Sequence, residues 1–157
     1  MPHKPRKRFG QNFLVDEQVI NQIVSTISPK RSDNVIEIGP GKGALTFPLI
    51  NHLEKIHVIE IDRDLISLLQ KKNNEKITIH ESDALVFNFD QFKQDIRIVG
   101  NLPYNISSPL LFHLLNYRDN IIDMTFMLQK EVVDRIVALP GSKVYGRTSV
   151  IMQAFFD

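Results

Sequence analysis

Residues 34–46 read "NVIEIGPGKGALT", and the parsing of this stretch decides the fold. Val35, Ile36 and Ile38 make a short apolar run that suits a buried strand, interrupted by Glu37. The run ends on Gly39, Gly41 and Gly43, which permit a tight turn and a close backbone approach. "ALTFPLINHL" (44–53) then predicts a helix, with Pro48 in its first turns or kinking it. Strand, glycine turn and helix open an α/β unit, in which the start of the helix offers free N–H groups to a ligand. Gly39-x-Gly41-x-x-Ala44 also matches the dinucleotide fingerprint, so this stretch alone leaves the ligand open.

The same alternation continues outward. Upstream, "DEQVINQIVSTI" (16–27) puts Val19, Ile20, Ile23, Val24 and Ile27 on one helical face, with Asp16 as N-cap. Downstream, "KIHVIEID" (55–62), "KITIHESDAL" (76–85), "DIRIVGN" (95–101) and "DMTFMLQ" (123–129) predict strands. "RDLISLLQKKN" (63–73), "PLLFHLLNY" (109–117) and "KEVVDRIVAL" (130–139) predict helices, the second with Ser108 as N-cap and Pro109 at its first position. Strands apolar on both faces imply a mostly parallel sheet covered by helices on both sides. The expected fold is therefore α/β, doubly wound and Rossmann-like. One domain spans residues 16–157, preceded by a segment of residues 1–15.

Composition narrows the chemistry. The 157 residues include no cysteine, which excludes disulfides, thiolate catalysis and cysteine-bound zinc. The five histidines are scattered without acidic partners at helical spacing, so no metal is expected. No apolar run reaches membrane-spanning length, and a cytoplasmic protein with no membrane partner is expected. The net charge of +1 hides an asymmetry: Lys4, Arg6, Lys7 and Arg8 crowd residues 1–8 without an acid. The remainder carries 15 basic and 18 acidic residues. A basic arm on a mildly acidic body suits contact with a phosphate backbone, or is a solubilising tail.

In doubly wound sheets ligands bind at the carboxyl ends of the strands. Glu60, 21 positions after Gly39, stands where an acid accepts hydrogen bonds from ribose hydroxyls. Its neighbour Asp62 reads as a helix cap. Asp83 can accept from an adenine amino group, with Ala84 and Leu85 against the ring. These residues serve nicotinamide dinucleotide and S-adenosylmethionine equally, and "NLPY" (101–104) decides between them. The Asn101 side-chain oxygen and the Leu102 carbonyl can accept from the exocyclic amine of a planar base. Pro103 fixes the backbone, and Tyr104 offers a stacking face for a base taken out of its own stack. Two acceptors placed for a tetrahedral nitrogen favour the charge that develops when that amine attacks a methyl donor.

At this point the chain resembles the ribosomal RNA adenine dimethyltransferases. The matching stretches are "KRFGQNFLVD" (7–16), "EIGPGKGALT" (37–46), "VIEIDRDL" (58–65), "SDAL" (82–85), "VGNLPYNISSPLLFHLL" (99–115) and "YGRTSV" (145–150). The bacterial small-subunit branch is closer than the erythromycin-resistance methylases, by the proline of "GPGKGALT" and the "SSPLLFHLL" continuation. The resemblance implies S-adenosylmethionine as methyl donor and the N6 atoms of two adjacent adenines near the 3′ end of small-subunit ribosomal RNA as acceptors. The implied partner is that RNA or its 30S assembly particle. It adds Asn12 and Leu14 to a donor pocket formed with Gly39, Gly41, Glu60, Asp83, Ala84 and Asn101. Family members continue past "YGRTSVIMQAFFD" into two more strands and a helical domain, so this chain resembles a shortened member. Its fifth strand is then expected to be an apolar edge that invites self-association. Two other readings stay open: a non-catalytic RNA-binding or ribosome-assembly factor, and a nicotinamide-dependent oxidoreductase.

Overall fold

Asp16 begins the first helix as its sequence predicts, its Oδ1 accepting from the N–H groups of Gln18 (2.9 Å) and Val19 (3.2 Å). The computed structural model describes residues 13–72, 74–93 and 95–156. Its elements in chain order are α1 (Glu17–Ile27), β1 (Asn34–Ile38), α2 (Thr46–Ile50), β2 (Ile56–Glu60), α3 (Arg63–Gln70) and β3 (Ile77–Glu81). They continue with β4 (Ile96–Asn101), α4 (Tyr104–Leu114), β5 (Ile121–Met127), α5 (Lys130–Ile136) and α6 (Arg147–Phe155). All strand pairs are parallel and the order is β3-β2-β1-β4-β5. Among the described residues no helix is long and apolar enough to cross a membrane.

Register explains how the sheet is covered. Side chains in parallel register share a face, so Val35, Glu37, Val58 and Val99 lie on one side and Ile36, Ile59 and Ile98 on the other. The first side packs against Ile27 of α1, Leu49 and Ile50 of α2 and Leu69 of α3. The second packs against Phe87, Phe89 and, from α4, Leu110 and Leu114. Burying each such side chain stabilises the fold by ~1.5–3 kcal/mol relative to exposure. The doubly wound, parallel architecture is as expected.

Local differences have identifiable causes. The helix after the glycine turn is only five residues long, with Pro48 at its third position. Among the described residues no α-helix links β3 to β4; a 3-10 turn, Phe89–Phe92, buries Phe89 there instead. The helix expected to begin at Pro109 begins at Tyr104, with Pro103 as its cap and Pro109 inside. Pro109 removes one helical hydrogen bond. The start is anchored independently, because the Pro103 carbonyl accepts from the Ile106 N–H (3.2 Å) and the Ser107 hydroxyl (2.9 Å). Ser108 is therefore not a cap. Helix α6 was not foreseen from "YGRTSV".

Away from the glycine turn, Arg97 joins four segments. Its guanidinium donates to both Asp123 oxygens on β5, to Asp33 ahead of β1 (2.6 Å) and to the Ile27 carbonyl ending α1 (2.7 Å).

Candidate active site

The carboxyl ends of β1, β2 and β4 and the segments after β3 and β5 converge on one cavity of about 520 Å³. Leu14, Gly39, Gly41, Glu60, Asp83, Ala84, Asn101, Leu102, Pro103 and Tyr104 all line it. Asn12, Lys4, Arg6, Lys7 and Arg8 lie outside the described residues. Leu85 does not line the cavity; its side chain packs into the core beneath.

The three glycines of the turn have positive φ, but they do different things. A Cβ on Gly43 would lie 2.2 Å from the Phe47 ring, so this glycine makes room for core packing. A Cβ on Gly41 would come within 3.3 Å of Phe13, whose ring lies across the turn with the Lys42 ammonium 4.5 Å from its centre. A Cβ on Gly39 would meet nothing within 4 Å. Gly39 lines the cavity, so its bare backbone is open to a ligand.

Glu60 is buried at the end of β2. One carboxylate oxygen accepts from the N–H groups of Asp62 (2.9 Å) and Ile61 (3.0 Å), and the other more loosely from Gly41 (3.3 Å). Burial raises its pKa, those backbone donors oppose the rise, and the Asp62 charge adds to it. A carboxylate has about four acceptor positions, so Glu60 retains capacity for ligand hydroxyls. Asp62 caps α3 through the Asp64 N–H (3.0 Å), as alternation along the strand implied. Asp83 folds its own loop, accepting from the Leu85 N–H (2.9 Å), while it faces the cavity.

At the end of β4, Leu102 is buried and its N–H donates to the Met127 carbonyl (3.1 Å), extending the ladder one step beyond the strands. Pro103 holds an extended backbone (φ −66°, ψ 147°) and delivers Tyr104 to the first position of α4. The Tyr104 side chain is 60% exposed at the cavity's rim, a position that suits stacking more than packing.

Sequence reasoning passed over several lining residues. Glu37 was noted only as an interruption in an apolar strand, yet it is 2% exposed, reaches the cavity and accepts from the Thr46 hydroxyl (2.6 Å). Burial, with the nearby Glu60 charge, pushes its pKa up to about 7 against the opposing Thr46 hydrogen bond. Gln129 follows β5 and could have been found by the rule that exposed the other strand ends. Phe13 belongs to "GQNFL", which on its own reads as a turn with one buried aromatic and carries no sign of a cavity.

The parallel sheet, the glycine turn, the acid ending β2 and the Asn-Leu-Pro-Tyr turn ending β4 define a Rossmann-like methyltransferase fold. A profile of the family described as "Ribosomal RNA adenine dimethylase" matches residues 2–157, and the chain belongs to that family. It is 57% identical to the ribosomal RNA small subunit methyltransferase A of Dechloromonas aromatica over 155 residues, 98% of this chain and 61% of that protein. It is 55% identical to the protein of the same name from Nitrosospira multiformis, across 100% of this chain and 61% of that one. The chain thus spans about three fifths of the length of these relatives. Among solved structures, a dimethyladenosine transferase from Plasmodium falciparum superposes with a TM-score of 0.79 at 31% identity, over 88% of this chain and 51% of that one. The 23S rRNA methyltransferase ErmE gives 0.73 at 29% identity, over 90% and 55%.

Proposed function

We propose that this chain uses S-adenosylmethionine to methylate the exocyclic N6 of two adjacent adenines near the 3′ end of small-subunit ribosomal RNA, giving N6,N6-dimethyladenosine. The convergence of Glu60, Asp83, Gly39 and the Asn101–Tyr104 turn on one cavity, with Tyr104 exposed at its rim, carries this reading. Glu60 holds the ribose hydroxyls and Asp83 the adenine amine of the donor, with Ala84 against the ring. The bare backbone of Gly39 takes the methionine part, with Gly41, Leu14 and Asn12 as further contacts of the donor. The bound donor supplies an already activated methyl group.

Tyr104 stacks the target adenine after it leaves the RNA stack. The Asn101 side-chain oxygen and the Leu102 carbonyl accept from its amine. These acceptors favour a tetrahedral, positively charged nitrogen over the planar ground state, so they act most strongly in the transition state. The product nitrogen then loses its proton without a dedicated base. A pocket for dimethylation must also admit an amine that already carries one methyl.

Residues 16–157 form the methyltransferase domain in this reading, and residues 1–15 supply the basic arm and a donor-pocket segment. Lys4, Arg6, Lys7 and Arg8 contact RNA phosphates, and the partner is small-subunit ribosomal RNA within its assembly particle, in the cytoplasm. Calorimetric titration with S-adenosylmethionine, with NAD as the parallel control, tests the pocket. Saturable binding of the methyl donor alone supports the reading, and binding of NAD alone defeats it. Tyr104→Ala should abolish methylation by the enzyme while donor binding stays within about twofold. Undiminished methylation would remove Tyr104 from its assigned role.

A further inference from the structure

Among the described residues Glu37 is the one buried acid lining the cavity that the proposed mechanism leaves without work. It lies on β1, the central strand of β3-β2-β1-β4-β5. Register puts it on the same sheet face as Val58 and Val99, two residues before Glu60 and Asn101 on the flanking strands. Its carboxylate is therefore part of the cavity floor, one pleat below and between those two residues.

The connectivity of the donor makes this position significant. In the function proposed above, on which this inference rests, Glu60 holds the ribose and Asn101 receives the amine that takes the methyl. The sulfur is bonded to both the ribose-bearing carbon and the methyl, so its path from β2 to β4 crosses β1. The residue beneath that path is Glu37.

Among the described residues no cation competes for Glu37. Its hydrogen-bond partner from α2 is the Thr46 hydroxyl, itself fully buried. β2 contributes the Glu60 carboxylate, and β4 contributes the uncharged Val99 and Asn101. Asp83 after β3 also lines the cavity. Lys42 lines it from the glycine turn, with its ammonium over the Phe13 ring. Among the described residues no lysine or arginine forms an ion pair with Glu37. An uncompensated carboxylate at this depth is costly unless a ligand brings the opposite charge.

We infer that Glu37 is the counter-charge for the donor's sulfonium, and so a residue that discriminates the charged methyl donor from the neutral-sulfur product. A carboxyl titrating near neutrality in the free protein is the expected companion of this role. The arriving sulfonium favours the ionised form, and a proton leaves as the donor binds. After transfer the sulfur is neutral, Glu37 regains a proton, and the product is held less firmly. S-Adenosylhomocysteine keeps the same ammonium and carboxylate as the donor, so comparing the two isolates the charge on sulfur.

The test is calorimetric titration of this chain with S-adenosylmethionine and with S-adenosylhomocysteine at about pH 6, 7 and 8, in buffers of different ionisation enthalpy. Donor affinity should rise up to roughly tenfold across that range with proton release at the acid end, while product affinity changes by less than about twofold. Glu37→Gln, which keeps an acceptor for Thr46, should flatten the donor profile and narrow the donor-to-product ratio. Thr46→Val retains the carboxyl but removes the hydrogen bond that lowers its pKa, so it should move the rise to higher pH. Parallel pH profiles for donor and product, or donor binding without proton release, would overturn the inference and leave the methyltransferase reading standing. Failure of the wild-type chain to bind the donor at any pH would defeat both.

Discussion

Gly39 and Gly100 are four chain elements apart, yet they make opposite predictions about a single added methyl. At Gly39 the added atom meets no protein atom, so Gly39→Ala should cost only the ~1–2 kcal/mol of a positive φ. It should lower methyl-donor affinity at least tenfold, because Gly39 lines the cavity. At Gly100 the added atom would lie 2.6 Å from the Ile38 carbonyl oxygen of the neighbouring strand, where neither backbone can yield. Gly100→Ala should lose about 3 kcal/mol or more. Urea unfolding paired with donor titration separates the two, and equal stability losses would contradict the assignment. Glu37 makes a second prediction at this scale. Its folded pKa of about 7 is above the ordinary value of 4.5, so its contribution is fully favourable below the ordinary value and is lost as pH rises through 7. Glu37→Gln should therefore gain stability relative to wild type between about pH 5 and pH 8, by roughly 3 kcal/mol. An unchanged pH profile of the urea midpoint would show that the carboxyl titrates normally. The acid itself was legible as an interruption in an apolar strand. Its partner was not, because Thr46 comes to it only through the shape of the turn between them.

The strands were legible because each is a short apolar run bounded by polar turn residues, and parallel pairing buries both faces. Helix α4 was misplaced for a physical reason. "SSP" has the composition of a cap, but Ser107 spends its hydroxyl on the Pro103 carbonyl and fixes a start one turn earlier. This shift brings Tyr104 onto the helix and hence to the rim. Side-chain bonds between distant segments are the least legible feature, and Arg97 shows why. Its acids are 64 positions before it and 26 after, and nothing local marks them as partners. Its guanidinium is 14% exposed, and removing one partner of such a group leaves the others unpaired. Arg97→Met should cost ~2–4 kcal/mol in urea unfolding. Donor affinity of the folded variant should remain within about twofold, since Arg97 does not line the cavity. A large loss of affinity with unchanged stability would reverse that assignment.

Across the whole molecule, the strand-end rule alone locates most of the cavity, because a doubly wound sheet sends its carboxyl ends to one edge. Strand order was not legible, since short connections permit several orders and the choice is made by packing of the helices. Among the described residues β5 has one unpaired side, and Ile122 on it is 60% exposed. Such an edge is a template for another strand. We expect this chain to self-associate with rising concentration in light scattering coupled to size-exclusion chromatography. Replacing Ile122 with Lys should restore the monomer, whereas a wild-type monomer at high concentration would set the edge aside.

The two walls of the cavity differ in how they are fastened. The wall that presents Asn101 to Tyr104 is riveted to β5 through the Leu102–Met127 hydrogen bond, which belongs to the sheet itself. On the glycine-turn side the Phe13 ring lies against Gly41, with the Lys42 ammonium 4.5 Å from its centre. In the function proposed above, the side that holds the target base is therefore tied into the sheet ladder itself. If the proposed function holds, a change that loosens this rung should disturb presentation of the base before it disturbs the donor side of the cavity.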